Sequence, residues 1–507
     1  MRHSPYWLLS IEIISILCWL ILAGYLLVEH YTQDGLKPIS LEALEASSSE
    51  ERWNGIFFQD QHVGYSVSKS TIAEDGTMLL EQRSLFHVAT FGQLQQIVTA
   101  GTALTNPKGI LQEFDFFFAS DLSKISVRGN IQNNKIVMEV NQNGEKDQLE
   151  IPISEPPHLG MTLEAVIRQE ELFVGKKFTV PYFDPVTLSQ SQMQMKVTAT
   201  EILETGEEAW WIESSYGDVQ TRSLVAPNGD LLRQNGALGL SMLRMTAEEA
   251  QNIPKTEDPI DLISLSAVTL DGNIKKPREQ KSIALRITGV EPSKVMSDPP
   301  VQNLQEDVVS IVVPNLSEIP QIQIASLDPL KDQDYLLSSL TISSDHETII
   351  AKANEITKNA THRLEAVQDI NQFVFEHMQK FPSIGVPNGL QALRSASGDC
   401  NEHTVLFVSL ARALQIPSRI AVGLVYSDRS GPVRGFYYHA WPEVQFEDLW
   451  LPVDPTFGDV PADATHIKVA NGELDKQIEI MGLLGKIALE VVELPDNFEQ
   501  ETKENTP

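Results

Sequence analysis

The sequence has very little cysteine, with only Cys18 and Cys400 among 507 residues. Cys18 lies inside an apolar segment near the N-terminus, so we do not expect it to pair with Cys400. A disulfide framework is therefore excluded as the source of stability. The chain does not need one, because its length suffices for two to four domains with hydrophobic cores of their own. The isolated Cys400 then requires another explanation.

Positive charge is also scarce. The chain has 38 Lys and Arg residues against 69 Asp and Glu residues, which gives a formal net charge of −31. The acidic residues are spread along the sequence instead of forming one tail. Because no basic stripe is present that would neutralise phosphates, we expect no nucleic-acid partner.

One long apolar run is present, residues 7–28, "WLLSIEIISILCWLILAGYLLV". A predominantly apolar run of 22 residues suffices to cross a bilayer, so we predict a transmembrane anchor within residues 1–34. Arg2 precedes the run, whereas Glu29 and Asp34 follow it. By the positive-inside tendency, this predicts a single-pass membrane protein whose short N-terminus is cytoplasmic and whose bulk lies outside, on the periplasmic side.

Two other interpretations of this run remain open. A cleavable signal peptide would need small residues at its cleavage site, and Tyr25 after Ala23 and Gly24 fits that pattern badly. A lipoprotein signal would need a small residue before Cys18, where Leu17 stands. We therefore predict an uncleaved anchor, which would place Cys400 as a free thiol in an oxidising compartment.

The first part of the remaining chain has β-strand composition. Residues 124–151 alternate short strand-like runs with two turn pairs, Asn133-Asn134 and Asn143-Gly144. Such pairs suit two-residue hairpin loops, so a meander of antiparallel strands is predicted here. A Pro-rich connector follows, and residues 261–325 contain further short strands.

A change of pattern after about residue 345 indicates helices. Leu364, Val367, Ile370, Val374 and Met378 recur at three- and four-residue steps, the period of an amphipathic helix. Strand composition returns after residue 417. We predict a multidomain fold with an N-terminal transmembrane helix, β-rich modules and a C-terminal α+β domain. The predicted boundaries are 1–34 for the cytoplasmic tip and anchor, 50–252 for a β-rich domain, 261–330 for a small β-module, 345–490 for the α+β domain and 491–507 for a charged tail.

Cys400 stands where a buried helix is predicted to begin. Residues 397–399, Ser-Gly-Asp, are turn and cap types, and the positions from 405 onward are apolar on nearly all sides until Pro417. At a helix N-terminus, unpaired N–H groups and the helix dipole favour a thiolate and stabilise an oxyanion. The position therefore suits a nucleophile.

A hairpin downstream supplies a candidate base and its partner. Two strand-like runs, residues 434–447 and 449–457, are joined by a short turn near Glu447-Asp448. A turn centred before Glu447 pairs position 439 with 454, and one centred after it makes the two positions diagonal neighbours. In both registers His439 and Asp454 share a face. Cys400 as nucleophile, His439 as base and Asp454 as the group that orients the imidazole then form a complete triad.

Three blocks of this region resemble bacterial transglutaminase-like proteins: "GDCNEH", "HAWPEV" and "WLPVDPT". The resemblance covers about residues 345–490 and implies the papain-like and transglutaminase core fold. Carried over by residue, it implies catalytic roles for Cys400, His439 and Asp454. The segment "DATHIKVANGE" is similar to the one that follows the Asp in such proteins. Gln415 departs from the glycine that the family has before Ile-Pro.

Metal sites were weighed as alternatives. Cys400 and His403 have a C-x-x-H spacing, but no second cysteine pair accompanies them, so zinc is disfavoured. Asp459 and Asp463 are interpreted as solvated loop acids in preference to a calcium site. We predict no metal ligand and no cofactor.

The sequence thus predicts an enzyme that transfers acyl groups from amide bonds of a protein or peptide substrate. Water as acceptor would make a cysteine peptidase or amidase, which we favour, and a lysine amine would make a crosslinking transglutaminase. A third hypothesis is an envelope binding or scaffold protein whose β-rich modules carry the function. The sequence does not indicate an oligomeric state.

Overall fold

The computed structural model describes residues 46–493, except for 91–92, 108, 122, 186–187, 218, 237–238, 255–258, 260, 262–266, 325–332, 382–384, 429–433, 474–475, 477–479 and 481. The predicted anchor at residues 7–28 and most of the predicted charged tail lie outside the described residues.

The N-terminal region forms one antiparallel sheet of fourteen strands, ordered β8 to β1 and then β14 to β9. The first and last strands of the region meet in the middle, because β1 pairs with both β2 and β14. The bounds are β1 (Ala46–Phe58), β2 (Gln61–Ala73), β3 (Met78–Thr90), β4 (Gln93–Thr105), β5 (Leu111–Ala119), β6 (Lys124–Gln132), β7 (Lys135–Gln142), β8 (Glu145–Pro152), β9 (Lys177–Asp184), β10 (Ser189–Ile202), β11 (Glu208–Tyr216), β12 (Val219–Val225), β13 (Leu231–Asn235) and β14 (Leu240–Met245).

The predicted meander is confirmed within this sheet. β6, β7 and β8 are separated by the two predicted turn pairs, Asn133-Asn134 and Asn143-Gly144, and all four residues have positive φ. Positive φ at both central positions is what a two-residue hairpin turn requires. Two short helices, α1 (Leu163–Ile167) and α2 (Ala247–Gln251), accompany the sheet.

A second sheet joins distant parts of the chain. Its five strands are ordered β15, β25, β16, β18 and β17. Their bounds are β15 (Leu270–Asp271), β16 (Ser282–Thr288), β17 (Gln302–Gln305), β18 (Val308–Val312) and β25 (Ala488–Val492). β25 comes from the C-terminal end of the described chain and lies between β15 and β16. The small β-module therefore shares its sheet with residues that follow the α+β region.

The third region packs helices against a four-stranded antiparallel sheet ordered β23, β22, β21 and β24. Its bounds are α3 (Glu347–Ile356), α4 (Arg363–His377), α5 (Gly389–Ser395), α6 (Cys400–Ala413), β21 (Ser418–Ser427), β22 (Gly435–Phe446), β23 (Leu449–Pro452) and β24 (His466–Asn471), with a short parallel pair, β19 (Gln379–Lys380) and β20 (Ser397–Gly398). The helix predicted from the apolar period is α4, which buries Val367, Ile370 and Val374.

The central helix of this region is α6. Its residues from 403 to 412 are all buried, and apolar side chains from α3, α4, β21 and β22 pack with it in one core. The predicted buried helix that begins at Cys400 is confirmed. Gln415, where the related proteins have glycine, has a φ of 60°. It therefore adopts the left-handed conformation that glycine accepts most easily.

The predicted fold class is contradicted in its transmembrane element. In the part of the chain that the structure describes, no helix is long and apolar enough to cross a membrane. The longest, α4, has 15 residues, which span about 22 Å, short of the roughly 30 Å of a hydrocarbon core. The predicted single-pass membrane localisation is contradicted by the same finding.

The described fold is instead β-rich, with the fourteen-stranded antiparallel sheet as its largest element and six α-helices among the described residues. The predicted series of separate modules does not describe the second sheet, because β25 returns to pair with β16. Strand composition indicates that a segment is extended, but it does not indicate which distant strand it pairs with. The domain boundaries themselves stay predictions.

Candidate active site

The first turn of α6 holds the thiol. The Asp399 carboxylate accepts a hydrogen bond from Asn401 N at 2.8 Å, and Glu402 accepts one from Asp399 N at 2.8 Å. This reciprocal cap makes Cys400 the first residue of the helix. Gly398 is required beside the cap, because a Cβ there would lie 2.4 Å from the Cβ of Glu402.

Two contacts place this turn against strand β22. The Thr404 hydroxyl donates to the backbone oxygen of Ala440 at 3.0 Å, and both groups are fully buried. The backbone N–H of Ala440 donates toward the sulfur of Cys400. The thiol therefore lies beside the strand segment that carries His439.

The hairpin of β22 and β23 brings His439 to Asp454. Phe446 pairs with Leu449, so the turn is centred between Glu447 and Asp448, the second of the two predicted registers. The strand pairing ends at Pro452, and Asp454 lies just beyond it. His439 Nε2 is 2.9 Å from Asp454 Oδ2, and both side chains are buried. The structure thus brings the predicted base and its predicted partner into direct contact.

Asp454 is held as a carboxylate by four donors. Its Oδ1 accepts from the backbone N–H groups of Thr456, at 2.7 Å, and Phe457, at 3.2 Å. Its Oδ2 is 2.9 Å from the Nε2 atoms of both His439 and His466. Burial alone would raise the pKa of Asp454, but these two imidazoles hold it well below its usual value.

The thiol and the imidazole are both neutral at rest. Burial raises the pKa of Cys400 well above its ordinary value, and the nearby carboxylates of Asp399, Glu402 and Asp454 act in the same direction. Burial lowers the pKa of His439, and the opposing attraction of Asp454 does not overcome it. The helix N-terminus led us to expect a resting thiolate. Three carboxylates near the sulfur oppose that effect.

Aromatic rings fix the orientation of the His439 ring. Phe457 stacks on it at 5.3 Å between centroids, and Trp441 at 6.1 Å, with interplanar angles of 23° and 20°. Trp441 is 1% exposed, so it packs in the core beside the site. Stacking contacts of this kind favour one orientation of the ring.

The His403 ring contacts the backbone at the start of its own helix. Its Nδ1 lies 2.6 Å from the backbone oxygen of Asp399, and the residue is fully buried. Within the described ranges, one group of side chains has the composition and spacing of a metal site, namely His439, Asp454 and His466, whose ligand atoms lie within 4.8 Å of one another. The two hydrogen bonds to Asp454 Oδ2 account for this grouping without an ion.

Sequence reasoning missed two members of this site. His466 was noticed only within "DATHIKVANGE" and was given no role. Asp463 was interpreted as a solvated loop acid, but it is 4% exposed and forms an ion pair with Arg278 at 2.8 Å. Arg278 is 185 residues away along the chain, and no local pattern connects the two.

With this geometry established, the chain was compared with known proteins. The family model described as the transglutaminase-like superfamily matches residues 350–455, a segment that contains Cys400, His439 and Asp454. Residues 350–455 form a transglutaminase-like domain. No curated protein is significantly similar to the chain.

Three solved structures are similar to parts of the chain. A protein of Cytophaga hutchinsonii described as a "putative cysteine protease" is 14% identical, with a TM-score of 0.28, over 41% of this chain and 83% of its own. A beta-barrel-like protein of Brucella abortus, of a domain of unknown function, is 11% identical, with a TM-score of 0.31, over 39% and 95%. A protein of Parabacteroides distasonis described as a "putative protease" is 12% identical, with a TM-score of 0.19, over 78% and 70%.

Proposed function

We propose that the transglutaminase-like domain is a thiol acyl-transfer enzyme that acts on amide bonds of proteins or peptides. Cys400 is the nucleophile, His439 is the base and later the acid, and Asp454 orients the imidazole. The observation that carries this proposal is the hydrogen bond from His439 Nε2 to Asp454 Oδ2, on the strand against which the Cys400 turn packs. Because Nε2 of His439 is hydrogen-bonded to Asp454, Nδ1 is the ring atom that accepts the proton of the Cys400 thiol.

In the first half-reaction, Nδ1 of His439 accepts the thiol proton while the sulfur attacks the amide carbonyl. The tetrahedral adduct collapses when its C–N bond breaks, and the same imidazole returns the proton to the departing amine. A thioester on Cys400 remains. The N–H groups at the start of α6 are the donors available to the developing oxyanion.

In the second half-reaction, His439 takes a proton from the acceptor, which attacks the thioester. The C–S bond breaks and the sulfur recovers the proton. Water gives a carboxylic acid, and a lysine amine gives a new amide. We favour water, because it is always present and nothing among the described residues marks an amine site.

The neutral resting pair is compatible with this chemistry. His439 must be unprotonated to accept the thiol proton, and its lowered pKa keeps it so at neutral pH. The thiol is then deprotonated only as it attacks. Asp454 stays ionised throughout and stabilises the imidazolium that forms transiently.

The test uses the full-length chain and casein as a general amide substrate. New peptide N-termini or released ammonia would report hydrolysis, and covalent incorporation of a fluorescent primary amine would report crosslinking. We expect hydrolysis, and its loss in Cys400→Ala. If wild type and Cys400→Ala are indistinguishable in all three assays, and if Cys400 of the wild type is alkylated no faster than an ordinary free cysteine, the enzymatic proposal is wrong. The scaffold hypothesis would then be favoured.

A further inference from the structure

We infer that His466 is a positioning residue of this site, which fixes the Asp454 carboxylate and offsets part of its charge. The inference rests on the proposed function, because Asp454 matters only if His439 is the base. His466 is the first residue of β24 and is 5% exposed. Its Nε2 lies 2.9 Å from the same Asp454 oxygen that contacts His439.

The hydrogen bonds of His466 require a cation. Its Nδ1 lies 2.9 Å from the backbone oxygen of Asp463, and its Nε2 lies 2.9 Å from the carboxylate of Asp454. A carbonyl oxygen and an ionised carboxylate can only accept, so both ring nitrogens must carry hydrogen. His466 is therefore an imidazolium that lies between Asp454 and Asp463.

Asp463 and Asp454 together supply the negative charge that keeps His466 protonated. Its Oδ2 is 3.7 Å from His466 Nδ1 and 2.8 Å from an Arg278 nitrogen. Its Oδ1 accepts from the backbone N–H of Thr465 at 2.7 Å and from the Thr465 hydroxyl at 2.6 Å. Burial lowers the pKa of His466, but Asp463 and Asp454 outweigh it and raise the pKa to about 9.

The result is a row of alternating charges next to the neutral base His439: Asp454, His466, Asp463 and Arg278. Arg278 belongs to the 3-10 helix Pro277–Glu279, in the region of the second sheet. The remaining ionisable groups that face His466 are Asp459, whose pKa is raised to about 6 by burial and by the two neighbouring aspartates, and the buried ion pair of Glu443 with Lys468.

This row determines how strongly Asp454 holds a proton on His439. A carboxylate with no other partner would raise the pKa of the imidazole. Burial is the largest influence that lowers the pKa of His439, and the charge of His466 acts in the same direction by opposing the attraction of Asp454. His466 therefore keeps Asp454 oriented while leaving His439 neutral and available as a base.

The test measures the rate of iodoacetamide alkylation against pH, on the full-length chain. Mass spectrometry of the Cys400 peptide excludes any signal from Cys18. His466→Gln keeps an amide N–H for Asp454 but removes the charge. Asp463→Asn removes the opposing charge and keeps the size. His377→Gln, in the same domain, removes an imidazole whose Nε2 contacts the Leu393 backbone oxygen at 2.9 Å, and serves as the control.

Opposite shifts are expected. Loss of the cation in His466→Gln should move the acid limb of the profile, which reports His439, to higher pH by about half a unit or more. Loss of the anion in Asp463→Asn should move it to lower pH. His377→Gln should leave it in place. Damage to packing alone would lower the rate at every pH and would not produce shifts of opposite sign.

Two outcomes would overturn the inference. If wild type shows an acid limb that His439→Ala removes, but neither His466→Gln nor Asp463→Asn shifts it, His466 has no positioning role and the proposed function stands. If the wild-type profile does not depend on His439 at all, the proposed function and the inference both fail. His466→Gln and Asp463→Asn test the charge separately, so misfolding of one variant leaves the other to decide.

Discussion

The guanidinium of Arg278 lies 4.4 Å from the centre of the Phe457 ring, which in turn stacks on His439. Arg278 also forms an ion pair with Asp463. The Arg278 side chain, from the 3-10 helix Pro277–Glu279, thus contacts both Phe457, which stacks on the proposed base, and Asp463, a member of the charged row. The site is completed by a segment that precedes the transglutaminase-like domain by about 70 residues.

The first prediction concerns the dependence of the thiol on its base. In His439→Ala, the rate of Cys400 alkylation at pH 7.5 should fall roughly tenfold or more, because the neutral thiol loses the group that accepts its proton. The rate should recover only at strongly alkaline pH, where hydroxide deprotonates the thiol. Second-order rate constants from mass spectrometry of the Cys400 peptide measure this.

Asp454→Asn is the companion variant for this prediction. It preserves the size of the side chain but removes the charge that stabilises the imidazolium, so the rate should fall. The urea midpoint should fall as well, because the buried His466 cation loses its charged partner. Equal rates in wild type and His439→Ala at pH 7.5 would show that the imidazole does not act on the thiol.

The second prediction concerns pH and stability. The pKa of His466 is about 9 in the folded protein and about 6.5 in an unfolded chain. A raised pKa means that its stabilising contribution is complete below about pH 6.5 and is lost as the pH rises through about 9. We expect the free energy of unfolding to fall between pH 6.5 and 9.5 by up to about 3 kcal/mol.

Urea midpoints at pH 6, 7.5 and 9.5, followed by tryptophan fluorescence, measure this loss. His466→Gln has no such proton to release, so its midpoint should decline less over the same range. His377→Gln should decline as wild type does. A wild-type midpoint that stays constant from pH 6 to 9.5 would contradict the proton on His466.

The contact between His439 and Asp454 could be predicted from the sequence because it is local. The two residues are 15 apart, one short turn separates their strands, and both possible registers put them on one face. The start of α6 could be predicted for the same reason. Asp399 and Glu402 form its cap within four residues of Cys400.

The charged row and the second sheet could not be predicted in this way. Asp463 contacts Arg278 across 185 residues of sequence, and β25 pairs with β16 across about 200. Neither contact corresponds to a periodic pattern that could be recognised in the sequence. The raised pKa of Cys400 could not be predicted either, since the helix N-terminus is visible in the sequence, whereas the burial of the thiol, the main cause of the rise, is not.

The third prediction concerns Gly398. A methyl group at this position would lie 2.4 Å from the Cβ and 2.7 Å from the Oε2 of Glu402, the residue that caps the N–H of Asp399. Gly398→Ala should therefore displace the first turn of α6. We expect slower Cys400 alkylation and a loss of about 1 kcal/mol in the free energy of unfolding, as for a lost helix cap.

Gly160→Ala is the matched control, because its Cβ would meet only the Tyr182 hydroxyl, at 3.8 Å. Equal effects of the two substitutions would contradict the steric argument.

The last prediction concerns the smallest fragment that folds. The predicted domain 345–490 contains the whole triad, but Leu489 of β25 and Phe436 of β22 pack in a core with Val268 and Leu285, which lie outside it. Val268 also exchanges backbone hydrogen bonds with Phe436, at 2.7 and 3.1 Å. Fragment 345–493 would expose the apolar faces that this core buries, at about 25 cal/mol for each Å².

We therefore expect fragment 267–493 to be soluble and to unfold cooperatively in urea, and fragment 345–493 to aggregate or to unfold at a clearly lower midpoint.

Full-length protein carrying Leu285→Ala separates the loss of this core from the loss of chain length. It should also lower the midpoint, through a loss of roughly 2–5 kcal/mol in the free energy of unfolding. If fragment 345–493 unfolds cooperatively at the midpoint of fragment 267–493, the second sheet is not needed for the fold. In that case the contacts of Arg278 with Asp463 and Phe457 would be accessory to a domain that is already complete.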